Sequence, residues 1–255
     1  MTKRPRPECG SGERIRTPGP PSSHGLADRC TVVAADYEGH RLAHPAPRTL
    51  TAANVAGDLL AIADAAGAQR FWCYGYSWLA LAALQLAVRT DRLDGLIMGG
   101  YPPIGGPYSA MLAVTRAAHE MARPHADPAG TDIAPGDWDA VQVQTDRDQT
   151  RQFLTLYEDL QDFDDAAAAH RLSIPRFCFA GELDNIDYGP QWGNIRVVIA
   201  DALRDHREEL EAAGWVVELL PNRDHMTAMH ADAVLSLLRR WLPNRVEADP
   251  RNPAR

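Results

Sequence analysis

Two hydrophobic patterns alternate along most of the chain. Short apolar runs predict strands, and longer segments with apolar residues every three to four positions predict amphipathic helices. The predicted strands are Thr31–Asp36, Arg70–Tyr74, Leu93–Met98, Pro175–Ala180 and Trp215–Leu220. The predicted helices are Thr51–Ala66, Trp78–Val88, roughly Ile195–Ala213, and Ala231–Leu242. This alternation predicts an α/β fold with a mostly parallel sheet and helices on both faces.

One long segment, Tyr101–Leu172, interrupts the alternation. It contains two helical stretches, about Ala110–Ala122 and Thr150–His170, joined by residues rich in Pro, Gly and Asp. We expect a helical cap insertion over the C-terminal edge of the sheet, where such folds bind ligands. The remaining pattern predicts an irregular segment over residues 1–25, one domain over 26–243 and a polar tail over 244–255.

Composition narrows the class of partner. The chain has 255 residues, of which 45% are hydrophobic, so a sizeable core is expected. A net charge of −8 argues against nucleic acid and anionic membranes as partners. The N-terminus lacks the apolar stretch of a signal peptide, no segment has the apolar length of a membrane span, and the four cysteines form no CxxC pair. These features predict a reduced, cytoplasmic protein.

The most informative local sequence joins a predicted strand directly to a predicted helix. It reads GYSWL, with Gly75, Ser77 and Leu79 at alternate positions. A turn from strand to helix on one residue exposes that residue's side chain above the helix N-terminus. The backbone N–H of Trp78 can then stabilise negative charge on a substrate oxygen. The alternative for Ser77 is an ordinary N-cap, and Leu79 occupies the place of a second expected glycine.

A nucleophilic serine requires a base and an acid that orients the base. Asp184 comes four residues after the strand Pro175–Ala180, and His225 comes five residues after the strand Trp215–Leu220. The C-terminal ends of parallel strands share one edge of a sheet, so Ser77, Asp184 and His225 are expected to meet there. Rival carboxylates lie close by, and they are Glu182, Asp187 and Asp224.

At this point the chain resembles the α/β-hydrolase fold superfamily, roughly from Leu26 to Leu242. The resemblance rests on Ala34–His40 (AADYEGH), the GYS turn, the GELD turn and the DHM loop, in that order. It implies Ser77 as the nucleophile, His225 as general base and acid, and Asp184 as the orienting carboxylate. The implied activity is hydrolysis of an ester, thioester or amide of a small, largely apolar substrate, with no cofactor and no metal.

The N-terminal part departs from this resemblance. Family members carry further strands before the counterpart of Thr31–Asp36 and an HG loop that supplies a second oxyanion donor. Here His24-Gly25 has the right letters, so Gly25 is the candidate donor and a chance match is the alternative. If this donor is missing, the expected alternative function is binding of a ligand or partner without turnover. An open sheet edge would also favour self-pairing, so a homodimer is a possible assembly.

Aromatic residues near the GYS turn suggest the substrate pocket. Tyr76, Tyr101 and Tyr108 are the candidate lining residues. Packing in the core is the equally consistent alternative for all three tyrosines.

Overall fold

The computed structural model describes residues 25–122 and 146–242. Three predicted segments lie wholly or mostly outside these residues. They are the irregular N-terminal segment up to His24, the joint between the two predicted cap helices, and the polar tail. The strands are β1 Phe71–Tyr76, β2 Leu93–Gly99, β3 Arg176–Gly181, β4 Asn185–Asp187, β5 Arg196–Val198 and β6 Trp215–Leu220. The helices are α1 Tyr37–Ala43, α2 Ala52–Ala65, α3 Trp78–Ala87, α4 Tyr108–Met121, α5 Arg147–Asp159, α6 Asp165–Arg171, α7 Ala200–Asp205, α8 Arg207–Ala212 and α9 Ala231–Trp241.

The main sheet confirms the α/β prediction. Its order is β1-β2-β3-β6, and every neighbouring pair is parallel. Because side chains alternate along a strand, Met98 and Cys178 belong to one buried cluster, while Ile97 and Phe177 belong to another. Helix α3 packs into the first cluster and helix α9 into the second, so helices cover both faces of the sheet.

The prediction of a strand over Thr31–Asp36 is wrong. These six residues are exposed, and none of the described strands pairs with them. A β-branched sequence supplies strand propensity, but the main-chain groups still require a neighbouring strand. Strand β1 is therefore an edge of the described sheet, with Tyr74 40% exposed. The segment instead leads into α1, where the Asp36 carboxylate accepts a hydrogen bond from the Gly39 N–H.

Two predicted helices are divided in the structure. The stretch Thr150–His170 forms α5 and α6, because the Asp164 carboxylate caps a new helix by accepting from the Ala167 N–H. The stretch Ile195–Ala213 begins with β5, which pairs antiparallel with β4. The Asn185 side-chain oxygen accepts from the Ile199 N–H and so connects this small hairpin to the start of α7.

No helix in the described parts of the chain combines the length and the apolar character that crossing a bilayer requires.

Candidate active site

Ser77 occupies a strained turn between β1 and α3. Its φ is 56° and its ψ is −132°, a combination that a residue with a Cβ rarely adopts. The Ser77 N–H donates to the Gly99 carbonyl at 2.8 Å, which ties the turn to the end of β2. A Cβ at residue 75 would lie 2.1 Å from the Leu79 carbonyl oxygen, so this close crossing requires Gly75. The sequence GYS therefore folds as the predicted sharp elbow.

The hydroxyl of Ser77 is directed to a histidine. Although Ser77 holds the N-cap position of α3, its side chain makes no capping hydrogen bond. Its Oγ lies 3.1 Å from the Nε2 of His225. The ordinary capping role, which was the alternative for this residue, is therefore absent from the structure.

Asp184 contacts the other ring nitrogen of His225. Its Oδ1 lies 2.9 Å from the Nδ1 of His225, and its side chain is 0% exposed. The rival Asp187 is exposed and pairs with Arg196, while the Glu182 carboxylate accepts from the Asn222 N–H. Of the carboxylates considered from the sequence, Asp184 is therefore the one placed against the imidazole.

The loops that carry Asp184 and His225 are joined through their main chains. The Leu183 N–H donates to the Arg223 carbonyl at 2.8 Å. A Cβ at residue 181 would lie 2.1 Å from that same carbonyl oxygen, so the approach requires Gly181. The glycine of the GELD turn therefore lets the acid and the base come within hydrogen-bond distance.

Hydrogen bonds shape the turn around His225. The Asp224 carboxylate accepts from both the N–H and the hydroxyl of Thr227, at 2.8 and 2.6 Å. The Thr227 hydroxyl oxygen in turn accepts from the Asp224 N–H at 2.9 Å. The Thr227 hydroxyl, followed by main-chain donors, lowers the pKa of Asp224. Asp224 thus stabilises the turn and does not compete with Asp184 for the imidazole.

Tyr76 is not among the described residues that line the cavity beside Ser77. Its hydroxyl donates to the main-chain carbonyl of His225 at 2.6 Å, and the two rings lie 5.3 Å apart. Burial, and then the negative charge of Asp184, raises the pKa of Tyr76, so the phenol stays protonated. Tyr76 therefore connects the elbow to the histidine loop.

The two candidate oxyanion donors have different positions. Trp78 is the first residue of α3, and such a residue has no intrahelical acceptor for its N–H. Gly25 does not reach the cavity: its carbonyl accepts from Arg239, and a Cβ there would collide with Leu235. Residues 25–36 contribute nothing to the described lining, so the structure does not bring Gly25 to the oxyanion.

A cavity of about 110 Å³ adjoins Ser77 and His225. Tyr101 lines it as predicted, whereas Tyr108 packs edge-on behind Tyr101, with ring centroids 6.0 Å apart. The other described lining residues are Trp78, Gly100, Pro107, Met111, Tyr157, Ile186, Tyr188, Val197 and Ile199. The sequence reasoning missed the residues from the β4–β5 hairpin. The apolar alternation of Ile186 with Tyr188, and of Val197 with Ile199, is the signal that could have found them.

The described lining carries little charge. His225 is its only titratable group other than tyrosine phenols. Within residues 25–122 and 146–242, no three His, Cys, Asp or Glu side chains are grouped as metal ligands would be. The described walls are therefore suited to neutral groups.

Comparisons with known proteins identify the fold. No sequence-family profile and no curated protein sequence matches the chain. It is similar to an E-2-(acetamidomethylene)succinate hydrolase, with a TM-score of 0.58 and 14% identity, over 77% of this chain and 75% of that one. It is similar to MenH from S. aureus, with a TM-score of 0.54 and 13% identity, over 85% and 80%.

A third similar structure is MGS-MChE2, an alpha/beta hydrolase enzyme from the metagenome of lagoon sediments at Mar Chica, Morocco. The TM-score is 0.51 and the identity is 13%, over 78% of this chain and 73% of that one. At such identities the likeness concerns the fold alone, and it agrees with the parallel sheet. This chain is an α/β-hydrolase-fold protein.

Proposed function

We propose that this protein is a serine hydrolase that cleaves an ester, thioester or amide bond of a small, largely apolar substrate. The observation that carries the proposal is the line of contacts from Ser77 Oγ to His225 Nε2, at 3.1 Å, and from His225 Nδ1 to Asp184, at 2.9 Å. A base in hydrogen-bond contact with a hydroxyl, and itself oriented by a buried carboxylate, is what nucleophilic catalysis by serine requires.

In this reaction His225 first removes the proton of Ser77 while Oγ attacks the substrate carbonyl. The Trp78 N–H donates to the oxygen that becomes negative. His225 then passes the proton to the leaving group, and the acyl group remains on Ser77. Water, deprotonated by the same histidine, releases the acid. This chemistry requires no cofactor, and we propose the cytoplasm as the place where the enzyme acts.

A fluorophosphonate probe tests the nucleophile. We expect covalent labelling of the wild type and its loss in Ser77→Ala and His225→Ala. A folded wild type that does not label would overturn the proposal. It would favour binding without turnover, the alternative suggested by the position of Gly25 outside the cavity.

The cavity volume makes a second test possible. An apolar cavity of about 150 Å³ can hold benzene, so one of about 110 Å³ favours short acyl groups. We expect p-nitrophenyl butyrate to be cleaved with a higher kcat/KM than p-nitrophenyl octanoate. Ser77→Ala supplies the background rate for both esters.

A further inference from the structure

Two tyrosines that line the cavity have hydroxyls with no partner in the described protein. Tyr101 and Tyr157 both line the cavity beside Ser77, and they are 3% and 2% exposed. Neither hydroxyl makes a hydrogen bond to any described residue, although both oxygens are buried. Native proteins satisfy the large majority of buried polar groups. Two such groups on tyrosines near enough to influence each other's titration, both at a candidate active site, therefore point to a ligand that supplies the missing partner.

Both phenols are hydrogen-bond donors at physiological pH. Burial, and then the charge that the neighbouring Tyr157 phenol would carry, raises the pKa of Tyr101 well above its ordinary value. Burial also raises the pKa of Tyr157. A protonated phenol offers one O–H to an acceptor, so the complementary group on the ligand is an acceptor oxygen.

The surrounding charge indicates that this acceptor is neutral. None of the described residues around the cavity carries a permanent positive charge. The half-buried carboxylate of Asp165 lies close enough to Tyr101 to affect its titration, and Asp184 lies behind His225. A carboxylate on the ligand would lose its water and gain no cation, which is strongly unfavourable. A keto or ether oxygen avoids this loss.

We propose that the acyl group of the substrate carries a neutral acceptor oxygen, as in a keto or ether group, that binds the Tyr101 and Tyr157 hydroxyls. This inference rests on the proposed hydrolase function and narrows its substrate class. The cavity volume of about 110 Å³ limits the acyl group to a few heavy atoms beyond the reacting carbonyl. Tyr101 and Tyr157 then act as specificity-determining residues.

Two esters that differ only in the acceptor test this proposal. They are p-nitrophenyl 4-oxopentanoate and p-nitrophenyl 4-methylpentanoate, in which a keto oxygen replaces a methyl group of similar size. The measured quantity is the ratio of kcat/KM for the 4-oxopentanoate to kcat/KM for the 4-methylpentanoate. We expect this ratio to fall about three- to tenfold in Tyr101→Phe and in Tyr157→Phe. Comparing ratios between variants cancels the different intrinsic reactivity of the two esters.

Tyr108→Phe is the matched control. The Tyr108 hydroxyl is also buried without a partner among the described residues, but Tyr108 does not line the cavity. We expect this variant to keep the wild-type ratio. Thermal unfolding of the three variants checks that each is folded, and loss of an unpartnered hydroxyl is not expected to lower Tm.

Two outcomes would overturn the proposal. The first is a ratio that stays at the wild-type value in both Tyr101→Phe and Tyr157→Phe. The second is an equal loss of activity on both esters, which would assign the hydroxyls to the oxyanion instead. Fluorophosphonate labelling of Ser77 and hydrolysis of p-nitrophenyl 4-methylpentanoate test the hydrolase function separately. If the wild type is labelled but the kcat/KM ratio falls in neither Tyr101→Phe nor Tyr157→Phe, only the proposed substrate class is contradicted.

Discussion

The contact between Asp184 and His225 allows the most quantitative test of the proposed chemistry. The Asp184 side chain is fully buried, with Oδ1 at 2.9 Å from Nδ1 of His225. When His225 takes the proton of Ser77, this carboxylate faces a positive imidazolium. Two unit charges at that separation attract by about 6 kcal/mol at an effective dielectric constant of about 20. This energy corresponds to roughly four orders of magnitude in rate.

We therefore expect Asp184→Asn to lower kcat for p-nitrophenyl butyrate by about 10³- to 10⁴-fold. Asparagine has nearly the same shape as aspartate, but it lacks the charge and can hold the imidazole in the tautomer that cannot accept the serine proton. A neutral amide also costs less to bury than a carboxylate. The folded state should therefore survive, as near-wild-type thermal unfolding would show.

Asp187→Asn is the matched control for this substitution. Asp187 lies three residues further along the chain, its side chain is 69% exposed, and it pairs with Arg196 at the surface. We expect its kcat to change by no more than about twofold, because an exposed ion pair contributes little. A folded Asp184→Asn variant that keeps more than about a tenth of wild-type kcat would refute the reasoning from the buried charge pair. So would an equal loss in Asp187→Asn.

Four further variants test the supporting structure. Tyr76→Phe removes the hydrogen bond to the His225 carbonyl, so we expect kcat to fall about five- to tenfold at constant KM; a change in KM alone would instead indicate substrate contact. Gly75→Ala puts a methyl group 2.1 Å from a main-chain oxygen of α3, so urea denaturation should show a free energy of unfolding lower by about 1–3 kcal/mol. Gly57→Ala in α2 meets nothing within 4 Å and should raise that free energy, and equal effects of the two alanines would contradict the elbow geometry. Because hydrogen bonds lower the pKa of Asp224, its contribution to stability is complete above about pH 4 and is lost as the pH falls through that lowered pKa. The Tm difference between wild type and Asp224→Asn should therefore shrink below about pH 4, whereas growth of this difference on acidification would contradict the assignment.

The placement of the candidate site could be predicted because it depends on strand ends. Ser77, Asp184 and His225 each follow a strand of the main sheet, and parallel strands bring their C-terminal ends to one edge. The apolar runs that mark these strands are visible in one sequence, since strands covered by helices are rich in apolar residues. The order of the three residues along the chain was therefore sufficient to predict that they meet.

Other features depend on neighbours that local sequence does not specify. Thr31–Asp36 has the composition of a strand, but no described strand lies beside it to complete its hydrogen bonds. Strands β4 and β5 have three residues each, too few for a periodic pattern to be recognised. The role of Tyr76 was also missed, because its partner is a main-chain carbonyl 149 residues away.

The conformation of Ser77 lowers the stability of the fold, while its hydroxyl is required for the proposed activity. Its positive φ costs an L-residue about 1–3 kcal/mol, and glycine adopts such angles without that cost. Ser77→Gly should therefore be harder to unfold than Ser77→Ala, although neither variant retains the hydroxyl. Selection for stability alone would favour glycine at the elbow. A serine at this position is consistent with selection for a reactive group at the expense of a more stable fold.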